Sequence, residues 1–342
     1  LTGLAQWNVV GREESTELLR LAGLATPMAL RVAVTLGLPE RLSGEHATAE
    51  VLAAELEVSP VALDLLLGHL ATLGVVETTP DGYRTTEYGA NLRADAGNNL
   101  VNLLHLDTAG GRGELAFVEL AHSITTGREA YSRRYGRDFW ADLAEHPHLR
   151  ESFDRQMTQR FREQLPHLVA GFDWSRFTTL VDVGGGQGSL LAALLTAHPG
   201  LRGHLVDLPA TAADARRAFA AHDLTRRTEV TGGSFFDPLP QAADAYLLVD
   251  ILHDWDDDQA GRILSRCVEA AHPNGRVLVV EAVGGLRADT AMDLVMLVSH
   301  GGRERRLDEF RTLAATRGLA LEAVLTPPGE RCILEFRIAQ RS

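Results

Sequence analysis

The chain has 342 residues, 45% of them hydrophobic, enough for two domains with cores of their own. Its formal net charge of −13 opposes a phosphate backbone or an anionic membrane face, so neither nucleic acid nor membrane is an expected partner. Cys267 and Cys332, the two cysteines, are too few for a thiolate metal site and read as reduced core residues of a cytoplasmic protein. With strand-length apolar runs and no leader pattern, neither a span nor a signal peptide is expected.

In chain order, residues 15–40 read as helical, with Thr26 as N-cap, Pro27 in the first turn and an apolar period running to Leu38. Three short helices fit residues 48–74. Val75–Thr79, the turn Pro80-Asp81-Gly82 and Tyr83–Thr86 then read as a β-hairpin. This is the plan of a winged helix, yet from Arg41 to Asp95 three basic residues stand against nine acidic ones, net −6. A DNA-reading module depends on basic residues that displace counterions. The expectation is therefore a helical, winged-helix-like dimerisation domain over residues 1–104, with a second domain over 105–342 that begins with connecting and substrate-covering helices at 105–170.

From residue 179 strands and helices alternate, the pattern of a parallel sheet wound on both faces. Strands are expected at 179–183, 203–207, 228–231, 244–250, 275–281, 319–325 and 332–338. Pro327-Pro328-Gly329 is too short for a crossover, so the seventh strand should run antiparallel.

The most informative stretch is Thr179–Gly188, TLVDVGGGQG, where an apolar strand ends in an acid and a run of glycines. Glycine lets the backbone double back and a ligand approach it. A dinucleotide fingerprint counted from Gly184 needs glycine at 189, where the chain has Ser189. The order Asp182, Gly184, Gly186, Gly188 instead resembles motif I of the S-adenosylmethionine (SAM) methyltransferases, in which the acid faces the methionine end of the cofactor. Asp207, nineteen residues past Gly188, ends the second strand and can accept both ribose hydroxyls. Leu208 can lie against adenine, and Ser234 and Phe235, after the third strand, can meet its edge and face. Lysines for phosphate are absent here.

After the fourth strand comes Asp250-Ile251-Leu252-His253-Asp254-Trp255. Methyl transfer to a hydroxyl needs an oxygen whose proton is leaving, and a histidine at the crevice rim is suited to taking it. Glu281, at the end of strand five, and Glu304, in Gly301-Gly302-Arg303-Glu304, are the carboxylates expected to orient His253.

The segments VDVGGGQGSLLAALL, ILHDWDDDQAGRIL, NGRVLVVEAV and GGRERRLDEF resemble, in order and spacing, the plant caffeic-acid-type O-methyltransferases and their bacterial relatives in antibiotic biosynthesis. LATPMALRVA, GELAFVELAHSITTG and RYGRDFWADL are similar to the bacterial branch, including its naphthoate enzymes. The resemblance implies a Rossmann-like methyltransferase fold, a homodimer formed through the N-terminal domain, SAM as cofactor and a phenolic hydroxyl of a small aromatic as acceptor. It places His253 as the base beside Glu281 and Glu304, Asp207 on the ribose, Met157 near the reacting methyl and Arg150 on the cofactor carboxylate. Asp254 and His300 fall to the substrate side, and Arg20 could clamp a substrate carboxylate. The sequence departs from the pattern at Ser234-Phe235, where many members have Asp-Met or Asp-Phe, and at Val249, where plant enzymes have lysine. Asp250 has no assignable counterpart. Two alternatives stay open: a metal-dependent C-methyltransferase of a 2-oxo acid using His253, Asp254 and His300, and a winged-helix regulator.

Overall fold

In the computed structural model, which describes residues 14–44 and 46–339, the chain divides after Arg112 rather than after residue 104, into units Leu1–Arg112 and Gly113–Ser342. In the first unit Gly23 and Leu24 separate a helical run at 14–22 from helix α1, Ala25–Thr35. Leu24, not Thr26, is the N-cap, and no side chain caps it; the Thr26 hydroxyl lies 3.1 Å from His69 Nε2 instead. Residues 48–74 hold two helices rather than three, α2 (Ala49–Leu56) and α3 (Pro60–Thr72). The hydroxyls of Thr48 and Ser59 cap them by accepting the amides of Val51 and Ala62. Strands β1 (Val76–Thr79) and β2 (Gly82–Thr85) pair antiparallel as the expected hairpin. Leu38, Leu42, Leu52, Leu63, Leu67 and Leu70 build this unit's core. Outside it, Leu18, Leu19, Leu21 and Leu24 are each about two-thirds exposed or more. By length and composition alone Glu14–Thr35 is apolar enough to cross a membrane, which the sequence reading did not anticipate. Only 17% of its most apolar stretch is buried, so an apolar surface here is left uncovered by the described residues.

The second unit is a seven-stranded sheet with the order β5-β4-β3-β6-β7-β9-β8. Its strands are β3 (Thr179–Val183), β4 (Arg202–Asp207), β5 (Thr228–Gly232), β6 (Ala245–Val249), β7 (Arg276–Glu281), β8 (Leu319–Leu325) and β9 (Cys332–Ile338). All lie within a residue of the sequence expectation at either end. β9 runs antiparallel to both neighbours, as the short turn before it requires, because a parallel strand would need a crossover. Alternate residues serve opposite faces: Val181, Val206, Tyr246 and Val279 pack in one core, and Leu180, Leu205, Leu247 and Val280 in the other. Strand order reverses beside β3, so a crevice opens beyond the carboxyl ends of β3, β4 and β6. Helix α4 (Pro147–Arg162) supplies further residues to its wall.

Candidate active site

The glycine turn after β3 is shaped by close approaches. A Cβ on Gly184 would lie 2.4 Å from Ile251 Cδ1, and one on Gly185 would lie 2.5 Å from Asp182 Oδ2. Gly184, Gly186 and Gly188 all have positive φ, a conformation other residues rarely adopt. The Gly186 amide donates to Asp207 Oδ2 at 2.8 Å and the Leu208 amide to Oδ1 at 2.7 Å. Asp207 therefore locks the turn in addition to presenting its remaining lone pairs.

A single cavity is lined by Arg150, Met157, Asp182, Gly184, Gly186, Asp207, Leu208, Ser234, Phe235 and Asp254, so every expected cofactor residue shares one wall. The sequence reading missed Asp154 and Phe161 on α4. Their positions carry a signal: Arg150, Asp154, Met157, Thr158 and Phe161 repeat at helical spacing and form one stripe. Missed as well was Trp140, which stacks on His300 with ring centroids 5.4 Å apart.

Charge in this wall is lopsided. Five aspartates, Asp154, Asp182, Asp207, Asp250 and Asp254, face one arginine, Arg150. Burial, with Asp207 adding to it, pushes the Asp182 carboxyl up to about 7; burial also raises Asp154 to about 6 against the pull of Arg150. Such a wall repels a polyphosphate and suits a ligand with a cationic centre, an amino-acid end and a diol. SAM has that chemistry: Arg150 can meet its carboxylate, Asp154 and Asp182 its ammonium, Asp207 its ribose, and Phe235 its base.

His253 sits beside this cavity in a short turn, Leu252–Asp254, and is buried. Its Nδ1 lies 3.0 Å from Glu304 Oε1, the orienting carboxylate expected. Glu281 does not take a second side of the imidazole, which corrects the sequence reading. Its Oε1 accepts the amides of Ile251 at 3.2 Å and Leu252 at 2.5 Å, holding the turn from its amino end. Arg305 holds the other end, donating to the carbonyls of Leu252 and Trp255. Gly302 makes this crossing possible, because a Cβ there would lie 1.9 Å from the His253 carbonyl oxygen. Asp254 Oδ1 stands 3.6 Å from His253 Nε2 and 3.8 Å from His300 Nε2.

Burial disfavours a charged imidazole at 253, but Asp254, Glu304, Asp250 and Glu281 outweigh it and push its pKa up to about 10. Burial raises the Asp254 and Glu281 carboxyls to about 7, with His253 opposing both, and pushes His300 down to about 3. Among the described residues no three His, Cys, Asp or Glu side chains are grouped so that they could hold a metal ion.

Comparison with known proteins identifies the family. An O-methyltransferase domain model matches residues 117–320, and an O-methyltransferase dimerisation domain model matches residues 19–95. The chain is 48% identical over 305 residues to a 2,7-dihydroxy-5-methyl-1-naphthoate 7-O-methyltransferase of Streptomyces carzinostaticus, covering 89% of this chain and 92% of the relative. It is 41% identical to an aclacinomycin 10-hydroxylase of Streptomyces purpurascens, over 92% of this chain and 88% of the relative. Among solved structures, an O-methyltransferase from neocarzinostatin biosynthesis in complex with SAM and 2-hydroxy-5-methyl naphthoic acid superposes with a TM-score of 0.88. That match has 46% identity and covers 93% of this chain and 98% of the other.

Proposed function

Since the chain belongs to the O-methyltransferase family and is a SAM-dependent enzyme, we propose that it methylates a phenolic hydroxyl of a small aromatic natural-product intermediate, with His253 as general base. The observation that carries this reading is the His253–Glu304 pair beside a cavity whose wall includes Trp140, Phe153, Met157 and Trp255. The aromatic side chains offer faces and edges to a flat acceptor, and relatives of the same family act on naphthoates.

Bound SAM supplies a methyl group already activated on a sulfonium. The chain's own residues then have two tasks. Arg150, Asp182, Asp207 and Phe235 hold the cofactor, while Met157, Asp254 and His300 bound the acceptor side. With Nδ1–H directed at Glu304, Nε2 is the nitrogen left to take the hydroxyl proton. A positioned base contributes about 10²- to 10⁴-fold, and fixing oxygen, carbon and sulfur in line supplies much of the rest. A base with raised proton affinity must shed its own proton first. The rate constant kcat/KM should therefore climb with pH through 7 and 8 rather than level off near the ordinary histidine value.

The first unit is read as the subunit-joining domain of a homodimer, its exposed leucines covered by a second copy. Arg20 gives no support to a carboxylate clamp, since it pairs with Glu17 at 2.7 Å on an exposed helix face. Mass spectrometry of SAM-loaded protein incubated with a panel of phenols, naphthols and 2-oxo acids tests the acceptor class. A gain of one methyl on a phenol or naphthol is expected; methylation confined to the 2-oxo acids would contradict the reading.

A further inference from the structure

Asp250 is the residue the family pattern leaves without a role, and its partner comes from the far end of the chain. It follows β6 directly, lines the cavity and has φ +49°, a strained conformation for a side chain of this size. Arg331, immediately before β9, is 1% exposed and grips it: Nε lies 2.9 Å from Oδ1 and 3.0 Å from Oδ2, and Nη2 donates to Oδ2 as well. The Phe161 ring covers the guanidinium at 4.3 Å. Buried pairs of this kind are often no more stabilising than apolar residues of the same volume. This one also leaves Nη1 buried without a partner among the described residues and keeps a carboxylate in the wall of an already acidic cavity.

We propose that Arg331 is a positioning residue of the methyl-transfer reaction, which limits the negative field that Asp250 places on His253. The inference rests on the reading of His253 as base. Glu304, in the loop after the helix Thr290–His300, lies 3.0 Å from the imidazole and Asp254 3.6 Å; Asp250 three residues before it, Glu281 of β7 and His300 of that helix act on it through their charge. Arg305 and Arg160 are the other cations close enough to act on these carboxylates. Without Arg331 a further uncompensated carboxylate would bear on the imidazole and hold its proton more tightly. Without Asp250 the stranded guanidinium would do the opposite.

Opposite signs separate this from a merely structural role, in which both single variants would behave alike. The His253 titration can be followed without turnover by NMR of isotope-labelled histidine, assigned through His253→Gln. Asp250→Asn should lower the His253 pKa and Arg331→Met should raise it, each by about one unit. The double variant should return near the wild-type value. Calorimetry adds a second reading: the ratio of SAM to S-adenosylhomocysteine affinity should fall several-fold in Asp250→Asn and rise in Arg331→Met, because only the former ligand is a sulfonium cation. Should Arg331→Met fail to fold, Asp250→Asn and the double variant still decide the matter. An unchanged or raised His253 pKa in Asp250→Asn, or a double variant that does not recover, would overturn the proposal. Loss of turnover in His253→Ala reports on the base itself, so the two ideas fail separately.

Discussion

The two glutamates near His253 have the same residue type and similar burial, yet they act on different atoms. Glu304 meets the ring; Glu281 meets the backbone that carries it. The convergence of these acids was legible in the sequence because each ends a strand or follows a Gly-Gly loop at the same edge of the sheet. Their division of labour was not, since it turns on which amides lack a helical partner. The difference predicts different failures. Glu281→Gln keeps an acceptor oxygen for the two amides and should keep the fold, its lost charge only moving the pH–rate profile toward lower pH, whereas Glu281→Ala strands two buried amides at a cost of about 1–3 kcal/mol each. Urea unfolding read beside kcat checks this, and an Ala variant as stable as the Gln variant would be inconsistent with it. Glu304→Gln removes a negative charge facing the ring, so the rising limb of the pH–rate profile should move toward lower pH.

Secondary-structure elements set how closely these residues approach. Most strands of the sheet were readable because they are short apolar runs ending at a turn, with the polar β5 placed by its spacing between helices, and strand ends fix where a ligand sits. Helix α4 was less readable. Its overall polarity hid an inward stripe, and Asp154 became visible only once Arg150 and Met157 were seen on one face. The start of α1 was misjudged for a related reason: Thr26 and Pro27 look like cap and first turn, but the Thr26 hydroxyl is drawn to His69. The Gly301-Gly302 crossing offers a direct test. Gly302→Ala places a methyl against the His253 carbonyl, and overpacking of that kind costs about 1–3 kcal/mol or more. A lowered Tm together with a fall in kcat is expected; a variant with wild-type values for both would show that the loop does not hold the base.

For the whole molecule, the acidic balance that argued against DNA also fits the cavity, where five aspartates favour a cation over a phosphate. Composition revealed the excess of acids but not its concentration at one site, which depends on distant strands being brought together. Replacing Leu18 and Leu21 by glutamate should convert a homodimer to monomer in sedimentation velocity, because the apolar surface they form would no longer be worth burying. Retention of the dimer would place the interface elsewhere. Proton removal by one imidazole is tested by single-turnover methyl transfer by His253→Ala at saturating SAM. A loss of about 10²-fold or more with SAM affinity nearly unchanged is expected; a rate within a few-fold of wild type would contradict a base role for His253.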